Sequence, residues 1–176
     1  MPKIMKFVTA FCFITAIFTT ILYRSFNSEL YKTLAITFGT STYHLGMRLL
    51  VGVLYNIGMK RANYKKKWYQ IHSWESRLYQ FIKVKKWKAK MPTYDPDTFS
   101  IEKHTWDEIA QAMCQAELIH ETNIVLSFVP LIASVPFGSF DVFFITSICS
   151  AVFDLLFVII QRYNRPRIVK MIVRQR

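Results

Sequence analysis

The apolar residues of this chain fall into long blocks. Phe7–Tyr23 runs 17 residues without a charge, Ile124–Phe140 does so over another 17, and Val142–Val158 holds one charged residue, Asp154. A bilayer crossing needs about 20 mostly apolar residues, so these blocks predict membrane helices near 7–23, 117–136 and 140–161. Pro130 lacks a backbone donor and is expected to kink the helix that contains it. A fourth apolar stretch, Thr33–Met59, carries His44 and Arg48 one helical turn apart and is punctuated by Gly39, Gly46, Gly52 and Gly58. It reads as the second span, at about 33–59, with its glycines allowing close helix–helix contact. His44 and Arg48 share a face that points into the bundle. An arginine at membrane depth is costly and takes a partner, and Asp154 in the last span is the candidate. Two readings stay open: a structural Arg48–Asp154 pair, or a polar cavity in which Arg48 and His44 bind substrate.

Between the second and third spans, residues 60–115 form a polar segment with its own pattern. In "KKKWYQIHSWESRLYQFIKVKKWKAKMP", Trp68, Ile71, Leu78 and Ile82 recur at helical spacing among lysines. That is the pattern of a basic amphipathic helix lying in the membrane interface, over about 68–90. "TYDPDTFS" reads as a turn. A helix follows, with Trp106, Ile109, Met113 and Ala116 on one face. Thr105 is placed as its N-cap, with Glu108 three residues on completing a capping box. The helix runs on into the third span and brings Glu117 and His120 to the membrane boundary one turn apart. The expected architecture is all-α: a single integral membrane domain over 1–176, with about four transmembrane helices plus a cytoplasmic amphipathic helical segment.

Composition changes this picture little, but charge orients it. The 176 residues are 52% hydrophobic, with 15 Phe and a mean hydropathy of +0.21. Lys and Arg number 23 against 11 acids, a formal +12. Eleven of the basics lie within residues 60–90, opposed there only by Glu75, and residues 161–176 are basic without an acid. Short basic segments stay on the cytoplasmic side, whereas "PFGSFD" between the last two spans has no basic residue. The expected topology is multi-pass, with both termini and the 60–115 segment cytoplasmic and 136–141 outside. Because the basics flank apolar spans, their expected partners are anionic membrane lipids and not nucleic acid. Lys3 and Lys6 resemble the start of a signal peptide, but no small-x-small cleavage site follows, and an uncleaved first helix is expected. Cys12, Cys114 and Cys149 have no metal or disulfide spacing and are expected to be small buried residues.

Two polar clusters flank the final hairpin, "AELIHE" at 116–121 and "QRYNRPR" at 161–167. Antiparallel packing of the last two spans brings them to the same membrane face. Pro166 is expected to hold Arg165 extended and end the last helix there. Arg162, Asn164, Arg165 and Arg167 make a site for phosphate oxygens, or a positive-inside anchor. No nucleophile elbow or His-Glu-x-x-His is present, one Glu-x-x-His does not make a di-metal site, and neither a metal nor a cofactor is expected.

"LYQFIKVKKWKAKMP", "AELIHE" and "IIQRYNRPRI" resemble, in order and rough spacing, blocks of the glycosyl-4,4'-diaponeurosporenoate acyltransferases, over about residues 75–168. The resemblance implies a protein of the bacterial cell membrane that esterifies a fatty acyl group onto a sugar hydroxyl of a glycosylated carotenoid or similar glycolipid. It also implies an acyl donor such as acyl-CoA as substrate, and neighbouring enzymes of carotenoid biosynthesis. Such chemistry needs a group to take the hydroxyl proton and donors for the oxyanion. His120 is the candidate base, Glu117 its orienting carboxylate, and the 162–167 block the donor site. A non-enzymatic scaffold or lipid-binding protein is the alternative, and a transporter subunit a more distant one.

Overall fold

The computed structural model describes residues 2–58, 62–93 and 95–175. Met59, Lys60, Arg61, Tyr94 and Arg176, which figure in the expected second span, polar segment and basic terminus, lie outside the described residues. Regular structure among the described residues is helical throughout: α1 (Pro2–Phe26), α2 (Glu29–Gly58), α3 (Ser73–Phe81), α4 (Val84–Trp87), α5 (Trp106–Leu126), α6 (Ser134–Phe137) and α7 (Phe140–Arg174), with short 3₁₀ turns at Lys67–Tyr69, Lys88–Lys90, Asp97–Phe99 and Val129–Ala133. The chain groups into two compact units, one of Pro2–Val53 with Thr122–Asp154, the other of Leu54–Glu121 with Leu155–Arg176.

Among the described residues, three helical stretches, not the expected four, are long and apolar enough to cross a membrane: Lys3–Phe26, Trp106–Phe137 and Phe140–Arg174. The exception is α2. It has the length, 30 residues, but Glu29, Lys32, His44, Arg48 and a run of threonines and Ser41 dilute its apolar content. Its hydroxyls are tied back to its own backbone: Thr37, Thr40, Ser41 and Thr42 each donate to a carbonyl four residues earlier. Thr9, Thr15, Thr19 and Thr20 do the same in α1. This satisfies each hydroxyl without water, as a hydrocarbon setting requires.

Two proline expectations are corrected. The third span is not kinked at Pro130 but broken before it: α5 ends at Leu126, and Pro130 sits near the start of the 3₁₀ turn 129–133, where its missing donor has no helical bond to lose. Conversely, Pro166 does not end the last helix. α7, 35 residues long from Phe140, runs through it to Arg174, with Arg162 and Arg165 on its N-terminal side anchored by the bonds described below. Gly138 and Ser139, both at positive φ, make the turn into α7. The capping box forms as expected, with Thr105 N donating to Glu108 Oε2 at 2.8 Å and Glu108 N to Thr105 Oγ1 at 3.3 Å.

Inside the first unit, Arg48 and Asp154 pair, Nη2 and Nε lying 2.7 and 3.0 Å from one carboxylate oxygen. Asn123 Nδ2 donates to the other at 3.3 Å. Ser127 Oγ meets Ser150 Oγ at 2.8 Å, and Tyr43 Oη donates to the Leu126 carbonyl at 3.0 Å, so α2, α5 and α7 are joined by polar contacts.

The glycine expectation fails at Gly39, Gly46 and Gly52, the surroundings of Gly58 lying outside those described. A Cβ at Gly39, Gly46 or Gly52 would meet nothing within 4 Å, so these are not points of close approach. Cys149 is also exposed, while Cys12 and Cys114 are buried. Gly46→Ala should therefore raise the free energy of unfolding by about 0.5–1 kcal/mol through helix propensity alone. Denaturant titration of the protein in mixed micelles checks this. Arg48→Met alone should lower it by about 3–5 kcal/mol, because Asp154 is left charged and buried, and Arg48→Met with Asp154→Leu should recover most of that loss.

Candidate functional site

The second unit is organised by four charged side chains. Residues 68–90 do not form the continuous amphipathic helix that their spacing suggests, but a 3₁₀ turn at Lys67–Tyr69, then α3, α4 and a second 3₁₀ turn at Lys88–Lys90. α3 stops at Phe81 because Lys83 adopts a left-handed conformation, φ 53, and α4 starts afresh. Glu75 and Tyr79 are the buried residues of α3, while Trp74, Leu78 and Phe81, spaced four and three apart, point outward.

Glu75 turns inward because a charged partner waits for it. Arg162 of α7 grips it with two parallel bonds, Nε to Oε2 and Nη2 to Oε1, each 2.7 Å. The same carboxylate accepts from Tyr79 Oη at 2.6 Å and from the His72 backbone N–H at 3.1 Å. The remaining Nη1 of Arg162 reaches Glu117 Oε1 at 2.6 Å, and its outer hydrogens go to the carbonyls of Trp68 and Gln70 at 3.1 and 3.2 Å. Glu117, wholly buried, offers its second oxygen to Arg165. Arg165, 2% exposed, gives its other donors to the Tyr69 carbonyl, at 3.1 Å from Nε and 2.6 Å from Nη2, and Nη1 also approaches Cys114 Sγ at 3.7 Å. Its guanidinium carbon lies 5.1 Å from the Tyr69 ring centre.

Two arginines and two carboxylates thus form a neutral set, three of them buried and Arg162 part-buried, with every carboxylate oxygen accepting from a guanidinium. That is the condition under which buried ions are tolerated. Burial pushes the Glu75 carboxyl upward, but bonds from Arg162, Tyr79 and His72 outweigh it and hold its pKa at about 2. The Tyr69 phenol is pushed up to about 12, by burial first and then by Cys114 and Glu117.

The rest of the 162–167 block faces elsewhere on the same helix. Asn164 Oδ1 accepts from Lys88. Arg167 is exposed, donates to Tyr163 Oη at 2.7 Å and has its guanidinium 4.5 Å from that ring centre, while Lys88 Nζ lies 5.0 Å from it. The Lys88 pKa is lowered, by burial first and then by the charges of Arg167 and Lys85. His120 lies part-buried one turn beyond Glu117, its ring stacked on Phe157 with centres 4.7 Å apart. Glu121 accepts from Trp68 Nε1 at 3.1 Å.

A family model, glycosyl-4,4'-diaponeurosporenoate acyltransferase, matches residues 65–174. The chain belongs to that family. No curated protein and no solved structure matches it. The family match takes in all four members of the buried set and also His120, Lys88 and Arg167.

The two clusters flanking the final hairpin do meet, as antiparallel packing of the spans predicts. Within the acyltransferase family segment, however, the block divides by helical phase. Arg162 and Arg165 direct their donors to Glu75, Glu117 and backbone carbonyls, and Asn164 and Arg167 sit with Lys88. Both Glu117 oxygens accept from guanidiniums. Arg48 and His44 belong to the other unit, with Asp154. Sequence reasoning passed over Glu75, although its being the one acid within residues 60–90 was the available signal.

Glu75→Gln should lower thermal stability, since Arg162 loses a bidentate anion. The pH dependence has a definite sign. A carboxyl held at about 2 against an ordinary value of 4.5 contributes its full stabilisation above pH 4.5 and loses it as pH falls towards 2. Melting curves of wild type and Glu75→Gln in detergent should therefore differ most above pH 4.5 and converge near pH 2.

Proposed function

We propose that this chain is a membrane acyltransferase that esterifies a fatty acyl group onto a sugar hydroxyl of a glycosylated carotenoid or a similar glycolipid. The observation that carries this reading is the family match over 65–174, which spans both polar clusters and the helices that hold them. Apolar helices long enough to cross a membrane suit a lipid-borne acceptor.

In this reading the sugar hydroxyl gives its proton to His120 as its oxygen attacks the acyl carbonyl of a thioester such as acyl-CoA. The tetrahedral intermediate then collapses, the C–S bond breaks, and the imidazolium returns the proton to the departing thiolate. Glu117 acts by position: pinned by Arg162 and Arg165, it fixes the turn of α5 from which His120 projects. The donor's anionic groups fall to Arg167 and Lys88, whose gathered positive charge is not cancelled within their own cluster, and Arg162 and Arg165 form the floor beneath. Orientation follows from charge. The basic 62–90 segment and the end of α7 face the cytoplasm of a bacterial cell, with Trp74, Leu78 and Phe81 entering the interface among anionic lipids. The Arg48–Asp154 pair supports α2 as a further crossing, which puts both termini inside.

His120→Gln should leave the melting temperature near that of wild type and lower ester formation by about 100- to 10,000-fold, the usual worth of a general base. Purified protein in nanodiscs with acyl-CoA and a glucosyl lipid gives the measurement. A wild type inactive on every glycolipid offered would favour a scaffold for pathway enzymes. In a Cys149→Ala background, a cysteine at Ser139 should react with a membrane-impermeant maleimide on intact cells, and one at Lys86 should not.

A further inference from the structure

The unit of Leu54–Glu121 and Leu155–Arg176 carries a third carboxyl beside its neutral set. Glu121 stands one turn after Glu117 on α5 and directly after His120. Glu75 and Glu117 each give both oxygens to guanidiniums. Glu121 is held differently. It is part-buried, and its side chain has one hydrogen bond among the described residues, from Trp68 Nε1 to Oε2 at 3.1 Å. Trp68 is 63% exposed and yet fixed at two points. Its carbonyl accepts from Arg162 Nη1 at 3.1 Å, and its indole edge is tied to Glu121. No aromatic ring or cation among the described residues lies against its faces.

An exposed, oriented ring face beside a carboxyl oxygen suits a molecule that is apolar on one side and hydroxylated at its rim. A pyranose ring is built that way. Its C–H bonds meet the negative face of an indole. Its hydroxyls donate to a carboxyl oxygen, which accepts whether or not the group is ionised. Other ligand classes fit less well. An anion would meet the Glu121 carboxylate, and Arg167 and Lys88 already offer it a better place. A cation would meet Lys65, Lys66 and Lys67, all exposed on the residues just before Trp68.

We infer that Trp68 and Glu121 bind the acceptor's sugar ring, Trp68 by stacking and Glu121 by accepting from a hydroxyl other than the one that reacts. The inference rests on the acyltransferase reading and adds to it the residues that hold the acceptor. All of them belong to the same unit as His120. Consecutive residues of a helix diverge by about 100°, so His120 and Glu121 border one strip of α5. A ring with hydroxyls on adjacent carbons can present one to each.

Full-length protein in phosphatidylglycerol nanodiscs is titrated with hexyl glucoside, 1-hexanol, hexyltrimethylammonium and free glucose. Wild type should bind the glucoside most tightly. Trp68→Leu and Glu121→Ala should each weaken glucoside binding roughly 10-fold, about one hydrogen bond's worth, with hexanol binding unchanged. Trp68→Phe, which keeps a ring face and loses the N–H, should fall between. Melting temperatures should stay near that of wild type, because the bond from Arg162 is to the Trp68 backbone. In acyl transfer from acyl-CoA, the same variants should raise the KM for a glucosyl lipid about 10-fold and leave the KM for acyl-CoA unchanged. Variants that bind the glucoside like wild type overturn the site, leaving Trp68 an interfacial anchor and Glu121 its brace. A wild type that prefers the ammonium, binds free glucose as tightly as the glucoside, or binds the glucoside no better than hexanol overturns the choice of ligand. The titrations need no turnover. A wild type that binds the glucoside through these residues and transfers no acyl group therefore defeats the acyltransferase reading while the sugar site stands.

Discussion

The second unit depends on one carboxylate shared by two guanidiniums. Glu117 is wholly buried on a helix within a stretch long and apolar enough to cross a membrane. A lone carboxylate there would be protonated or would drag in water. Arg162 and Arg165, on successive turns of α7, take one oxygen each. Arg162 then has donors left for Glu75, and Arg165 for the Tyr69 carbonyl. The 67–81 segment is held by these bonds more than by apolar burial, because its large apolar side chains, Trp68, Trp74 and Phe81, point outward. Arg162 and Arg165, which these bonds anchor, both precede Pro166, and helix α7 passes on through the proline to Arg174.

This arrangement bears on how the family's chemistry is distributed. Arginines beside a substrate site are commonly read as ligands for its anions. Here helical phase separates two kinds: residues 162 and 165 complete an internal salt-bridge set, and residue 167, with Lys88, is left facing outward. In the acyltransferase reading proposed above, a rigid base beneath a cationic rim suits the placing of a lipid-borne acceptor against an anionic acyl donor.

Much of this was legible in the sequence, and what was not has identifiable causes. The Arg48–Asp154 pair could be read because each is the costly residue of an otherwise apolar stretch, and cost demands a partner. The Thr105–Glu108 cap could be read because it is local. The meeting of "AELIHE" and "QRYNRPR" followed from hairpin geometry alone. Glu75 was missed because its partner lies 87 residues away, beyond any local periodicity, and because the Trp–Lys pattern around it fits an interfacial helix equally well. The left-handed Lys83 that divides that helix has no turn residue to announce it. Pro166 misled because its local preference to end a helix does not prevail within α7. The glycines of α2 misled because small residues permit close packing without causing it.

The shared carboxylate has a consequence for biogenesis. A ribosome delivers α5 before α7, and Glu117 emerges 45 residues ahead of Arg162. At elongation rates of about 5–20 residues per second that interval is on the order of seconds. Throughout it, neither Arg162 nor Arg165 is there to receive the carboxylate, so the polar end of α5 must stay hydrated until α7 arrives. Closure of the polar end waits for the last helix, and a nascent chain stalled before residue 162 would present Glu117 to the quality-control machinery as an unpaired charge.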